Sequence, residues 1–132
     1  MAVHHDIALP QELQPAQLHV GADIVHRYAE LTADFNPIHL DPEFAARTPF
    51  GAPIIHGTLG LNLVVEAIEK TFGTLPAEVA IEVRFSRPVP VGATVLAGGS
   101  LRDPRTGTYE IFVATENGER ALEGTCVIGM AG

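Results

Sequence analysis

A chain of 132 residues is long enough to bury one core and short for two, and no linker divides it, so residues 1–132 read as one domain. Eight basic against sixteen acidic residues leave a formal charge of −8, which argues against nucleic acid as a partner. Nearly half the residues are apolar, yet no uninterrupted apolar run reaches the length of a membrane span, which excludes a spanning helix.

The start, Met1-Ala2-Val3-His4-His5-Asp6, lacks a signal peptide's basic-then-apolar order, so the expectation is a soluble cytoplasmic protein that contacts no membrane. From Asp23 to Ala33 the pattern predicts a helix, with Asp23 as its N-cap and Ile24, Tyr28, Leu31 and Phe35 as a buried stripe. Asp34 then falls at the C-terminal end, where the negative pole of the helix dipole disfavours a carboxylate. A position that weakens the helix invites another reason for its presence, and proton transfer is one. Pro37 removes a backbone donor and pushes Asn36 out of helical geometry, so the chain turns between Asp34 and His39 and the two side chains can converge. An Asn-Pro corner is also an ordinary helix exit.

A second polar island, Pro53-Ile54-Ile55-His56-Gly57-Thr58, lies in apolar surroundings. After it, Leu59 to Ile68 is apolar on nearly every face through Val65 and polar only at Glu66, Glu69 and Lys70, the pattern of a helix in the middle of a core. Its first turn begins near His56-Gly57, where unpaired amides and the positive dipole end can receive an anion or a developing oxyanion. Gly57 lets a ligand approach the backbone closely. His56 alone would read as a satisfied core histidine; in company with Asp34 and His39 it joins a site. Two imidazoles and a carboxylate can also hold a divalent ion. The His-x-Asp spacing says little in favour, and no metal or cofactor is assigned.

From Ala77 onward the period changes to two. Val79, Ile81, Val83 and Phe85 alternate with Glu78, Ala80, Glu82 and Arg84, a half-buried strand. Pro88, Pro90 and Gly92 break it, Thr94 to Leu101 is extended again, and Asp103 to Gly107 turns. Tyr109, Ile111 and Val113 alternate, Asn117-Gly118 predicts a two-residue hairpin, and Glu119 to Met130 supplies the last strand. Cys126, the only cysteine, excludes internal disulfides and zinc–cysteine clusters; it sits in that strand as a small hydrophobe with no catalytic role. Helices followed by an antiparallel meander imply an α+β class, with a curved sheet wrapped around one apolar helix. Arg84, Arg87, Arg102 and Arg105 lie near strand ends, either as solvated side chains or as partners of a phosphorylated ligand.

Together these residues resemble the MaoC-like hydratase/dehydratase family of hot-dog folds, which includes the (R)-specific enoyl-CoA hydratases. The resemblance rests on Tyr28, Leu31-Thr32-Ala33-Asp34-Phe35-Asn36-Pro37-Ile38-His39 and the small Ala45, with support from Pro53 to Gly57 and from Val83 to Val89. It implies a hot-dog domain in which Asp34 and His39 form the hydratase dyad, Asn36 and His56 orient it, and the Gly57 amide belongs to the oxyanion hole. It further implies interconversion of a trans-2-enoyl thioester and its (R)-3-hydroxyacyl partner by syn addition of water, with no cofactor, in a homodimer. Which of Asp34 and His39 is the base stays open. The chain departs from the family at Ala33, where glycine is usual, and at Val65, where some hydratases carry a serine. Asn62, one turn earlier, can supply a polar contact in its place.

Leu31, Phe50, Leu61, Asn62 and Val65 are the expected acyl-pocket residues, and Arg84 and Arg87 the expected partners of coenzyme A phosphates. The acidic balance fits coenzyme A better than an acidic carrier protein. The alternatives are a thioesterase and a non-catalytic acyl-thioester binding subunit, the latter favoured by Val65.

Overall fold

The computed structural model describes residues 9–129; the opening segment Met1 to Asp6 and the end of the last predicted strand, Met130, lie outside the described residues. The chain order is β1 (Ala16–His19), α1 (Ala22–Thr32), α2 (Pro37–Leu40), α3 (Pro42–Ala46), α4 (Gly57–Phe72), β2 (Glu78–Phe85), β3 (Thr94–Asp103), β4 (Thr108–Thr115) and β5 (Arg120–Gly129). The five strands make one antiparallel sheet in the order β1-β3-β4-β5-β2, so β1 and β2 are its edges. The sheet wraps α4, as the apolar helix and the alternating strands implied. No helix among the described residues is long and apolar enough to cross a membrane.

Helix α4 buries Leu59, Leu63, Val64, Ala67 and Ile68 and packs against β1, β3 and β4. Across the sheet Val95, Tyr109, Ile111, Val113, Leu122 and Cys126 face the same core, which runs from the helix to the far strands. At the edge strand β2 the inward Val79, Ile81 and Val83 pack against this core but are only half-buried.

Curvature comes from glycine. Gly99, Ile111, Gly124 and Val83 are register neighbours across β3, β4, β5 and β2. A β-carbon at Gly99 would stand 2.6 Å from the Glu110 carbonyl oxygen, and one at Gly124 would run into the Glu82 carbonyl. Two missing side chains beside Ile111 let the strands close around the helix.

Four local expectations change. Strand β1 was absent from the sequence reading; it is four residues long, and its pattern of buried Ala16, half-buried Leu18 and buried Val20 is too short to stand out beside the helix that follows. The N-cap of α1 is Gly21, not Asp23, which sits inside the first turn and favours the dipole there. The buried face of α1 is Val25, Tyr28 and Ala29, with Ile24 half-buried; Leu31, in the last turn, is 82% and Phe35, beyond the helix end, 58% exposed. The turn at Asn117-Gly118 is three residues long: Gly118 N–H donates to Thr115 C=O at 2.9 Å, Thr115 N–H donates to Glu119 C=O at 2.9 Å, and only Gly118 (φ 87°) is left-handed. A two-residue type I′ turn needs positive φ at both central positions, which Asn117 does not adopt.

Candidate active site

The exit from α1 is set by Ala33, whose φ of 57° makes it the one non-glycine residue with left-handed backbone among those described. Its N–H and that of Asp34 both turn back to the Ala29 carbonyl, the latter at 3.0 Å. An L-residue pays about 1 kcal/mol for this conformation. Ala33→Gly is therefore expected to stabilise the fold by about 0.5 kcal/mol, the relieved strain being partly offset by added freedom in the unfolded chain; a urea titration measures it.

The next five residues turn tightly. Asn36 N–H donates to Asp34 Oδ1 at 3.2 Å, Asn36 Oδ1 accepts Ile38 N–H at 3.0 Å, and Pro37 opens α2. The Asn36 side chain thus caps α2, and its backbone N–H holds the Asp34 carboxylate. One turn of helix brings His39 back over Asp34. Its Nδ1 lies 2.7 Å from the Ile54 carbonyl oxygen, which can only accept, so Nδ1 carries the hydrogen and Nε2 of the neutral ring presents a lone pair. Ile54 is itself pinned, its N–H donating to Ile38 C=O at 3.2 Å, and the Pro53–Ile55 segment is bonded to Val89 and Val91.

His56, 2% exposed, is the N-cap of α4. Its Nε2–H donates to the Asp34 carbonyl at 3.1 Å and stands 4.0 Å from Asp34 Oδ2, and Nδ1 is buried without a partner. The ring stacks on His39 at 3.8 Å with planes 25° apart, and Tyr28 meets its edge at 5.1 Å. Tyr28 O–H donates to Thr58 Oγ1 at 2.8 Å and accepts from Asn62 Nδ2 at 3.0 Å, tying α1 to the start of α4. One oxygen of Asp34 and one ring nitrogen each of His39 and His56 lie within 4.8 Å of one another. A water molecule fits between a carboxylate and an imidazole at that spacing.

Beside the dyad a cleft of about 320 Å³ reaches from His39 and Gly57 to Val113 and Leu122, with Phe50 and Phe85 at its rim. Gly57 opens α4, and a β-carbon there would stand 3.2 Å from the Phe85 ring. Gly57 lines the cleft, and its amide, the first of α4, has no acceptor within the helix. A bulge in β5 holds the roof: the Ala121 carbonyl accepts both Ser86 N–H at 2.8 Å and Arg87 N–H at 3.3 Å.

The expected acyl-pocket residues do not all meet at this cleft. Phe50 lines the cleft, whereas Leu31 is solvent-facing, Leu61 and Val65 are half-buried on another side of α4, and Asn62 is engaged by Tyr28. Rotation of α4 decides this, and Gly60, not Leu61, is the residue that faces the cleft. Val65 does not line the cleft, so the missing hydroxyl removes no contact from it. Arg87 stands at the cleft but is paired with Glu119 at 3.1 Å, and Arg84 lies outside it, paired with Glu123 at 3.6 Å. Cys126 is fully buried, and burial pushes its thiol up to about 11, consistent with a core residue.

A MaoC-like domain model matches residues 8–121. The chain belongs to the MaoC-like family. Among curated MaoC relatives it is 35% identical to an (R)-specific enoyl-CoA hydratase of Aeromonas caviae over 82% of this chain and 84% of that one. It is 38% identical to 3-hydroxyacyl-thioester dehydratase Z of Mycobacterium tuberculosis over 69% of this chain; the match spans 66% of that relative's length. The solved structure of the A. caviae (R)-hydratase involved in PHA biosynthesis superposes with a TM-score of 0.79 at 30% identity, covering 96% of this chain and 98% of that one. The hot-dog fold expected for a MaoC-like domain is the fold observed.

Proposed function

We propose that this MaoC-like protein is a hydratase/dehydratase that interconverts trans-2-enoyl-CoA and (R)-3-hydroxyacyl-CoA by syn addition of water at Asp34 and His39. The observation that carries it is the hydrogen bond from His39 Nδ1–H to the Ile54 carbonyl, which leaves Nε2 as a base on a ring with a nitrogen within 4.8 Å of an Asp34 carboxylate oxygen.

In the hydration direction, His39 Nε2 and Asp34 hold one water by its two hydrogens and aim its oxygen at C3 of the enoyl thioester. As the C–O bond forms, His39 takes one proton, and the electron pair of the double bond moves into the thioester carbonyl as an enolate. The Gly57 amide at the start of α4 receives that charge, the contribution that is usually largest in such sites. The imidazolium, flanked by the Asp34 carboxylate and the Ile54 carbonyl, then returns the proton to C2 on the same face. No atom is left over and both side chains end as they began. On this reading His39 is the base, with Asp34 orienting the water and stabilising the charged ring.

The assembly proposed is a homodimer. Strand β2 offers eight residues at an edge of the sheet, and its inward Val79, Ile81 and Val83 are only half-buried, features that another copy of the same strand would complete. Light scattering on a sizing column is expected to give twice the chain mass, and Ile81→Arg to shift it toward monomer; a wild-type monomer would refute the dimer.

The test of the reaction is loss of enoyl-thioester absorbance when the purified protein meets crotonyl-CoA or longer enoyl-CoAs. Thioester binding without hydration at any chain length would reduce the chain to a binding subunit, and release of free coenzyme A would make it a thioesterase.

A further inference from the structure

Gly60 sits in the second turn of α4, inside a helix, where glycine is the least favourable residue after proline. Its backbone does not need to be glycine, because its φ is not positive. Packing does not need it either. A β-carbon there would meet only the two Val113 methyl groups, at 3.8 Å, which is ordinary contact. Gly57, by contrast, is held by the Phe85 ring, and Gly99 and Gly124 by neighbouring backbone. What the missing side chain at Gly60 leaves is space, and that space belongs to the cleft that begins at His39 and Gly57.

The far wall of the cleft is apolar: Val113 on β4 and Leu122 on β5, both 1–2% exposed. The near end holds His39 and Gly57, the first residue of α4, and the rim holds Phe85 and Arg87. A ligand with one polar reacting end and an apolar tail matches this order. We propose that Gly60 opens the acyl channel of this protein: the substrate's acyl chain beyond C3 passes beneath Phe85, across Gly60, and ends against Val113 and Leu122, so that residue 60 sets the chain length accepted. This rests on the hydratase reading for the identity of the reacting end, and it goes beyond it by naming the residue that selects medium over short chains.

Calorimetric binding of the unreactive saturated thioesters butyryl-CoA and octanoyl-CoA tests it without turnover. Each additional buried methylene is worth about fourfold in affinity, so wild-type protein is expected to favour octanoyl-CoA by at least tenfold. Gly60→Leu, which fills the channel, is expected to lower that preference at least tenfold. Gly60→Ala, which improves helix propensity and meets no clash, is expected to lower it about threefold and covers the case in which the leucine variant does not fold. A wild-type protein with no preference, or a preference that stays within twofold in the alanine variant, would overturn the proposal. Failure of the hydratase reading shows separately: crotonyl-CoA and octenoyl-CoA unconverted by the wild-type protein, while Gly60→Ala still shifts the binding preference, would keep the channel and discard the reaction.

Discussion

Replacing His39 with alanine is expected to lower enoyl-CoA hydration by about 10²–10⁴-fold, the usual scale for a general acid–base group. Asp34→Asn should fall in the same range for a different reason. The alanine variant has no base for the water, whereas the asparagine variant keeps Oδ1 as acceptor for the Asn36 N–H and so keeps the turn, but loses the charge that stabilises the imidazolium. Both variants should fold. His39 is half-buried, and its loss removes one hydrogen bond to Ile54 and one ring stack on His56, worth about 1 kcal/mol together. Steady-state rates on crotonyl-CoA, read beside circular dichroism, separate chemistry from unfolding. A folded His39→Ala protein with full activity would end the mechanism, and a folded Asp34→Asn protein with full activity would leave His39 acting without its charge partner.

The part of the site that could be read from sequence is the part built from local contacts. Asp34, Asn36, Pro37 and His39 lie within one turn of chain, and proline geometry alone obliges them to converge. His56-Gly57 was legible because an apolar helix begins there, and a helix start has the same consequences wherever it sits in the fold. The acyl pocket was not legible. Which of Gly60, Leu61 or Val65 looks into the cleft depends on the rotation of α4 against β1, β3 and β4, and a helix that is apolar on nearly every face through Val65 gives little in its sequence to fix it. Phe85 and Leu122 reach the cleft only because a bulge at Ala121 pulls the segment after β2 across it. The surroundings of the arginines were likewise not legible: Arg84 and Arg87 pair with Glu123 and Glu119, partners nearly forty and just over thirty residues away.

Gly60 did carry a signal in the sequence, an unforced glycine within a helical pattern, but its meaning needs the opposing strand. The same holds for Gly124, and there the expected effect is on stability. Gly124→Ala should cost about 3 kcal/mol, at the upper end of what overpacking does, because the new methyl meets the Glu82 carbonyl, a piece of backbone that cannot rotate away. The melting temperature should fall by about 10 °C. Relief is possible only if β2 moves off β5 between Glu82 and Val83, and that strand ends at Phe85, the ring that lies over Gly57. The variant should therefore lose thioester affinity as well as stability, with the loss persisting at temperatures where it is fully folded. Gly118→Ala is the control. It places a methyl at φ 87° with nothing within 4 Å, so it should cost about 1 kcal/mol through backbone strain alone and leave binding unchanged. If Gly124→Ala proved no worse than Gly118→Ala, β2 would not be held against β5 by this close approach, and the roof of the cleft would owe its position to the Ala121 carbonyl instead.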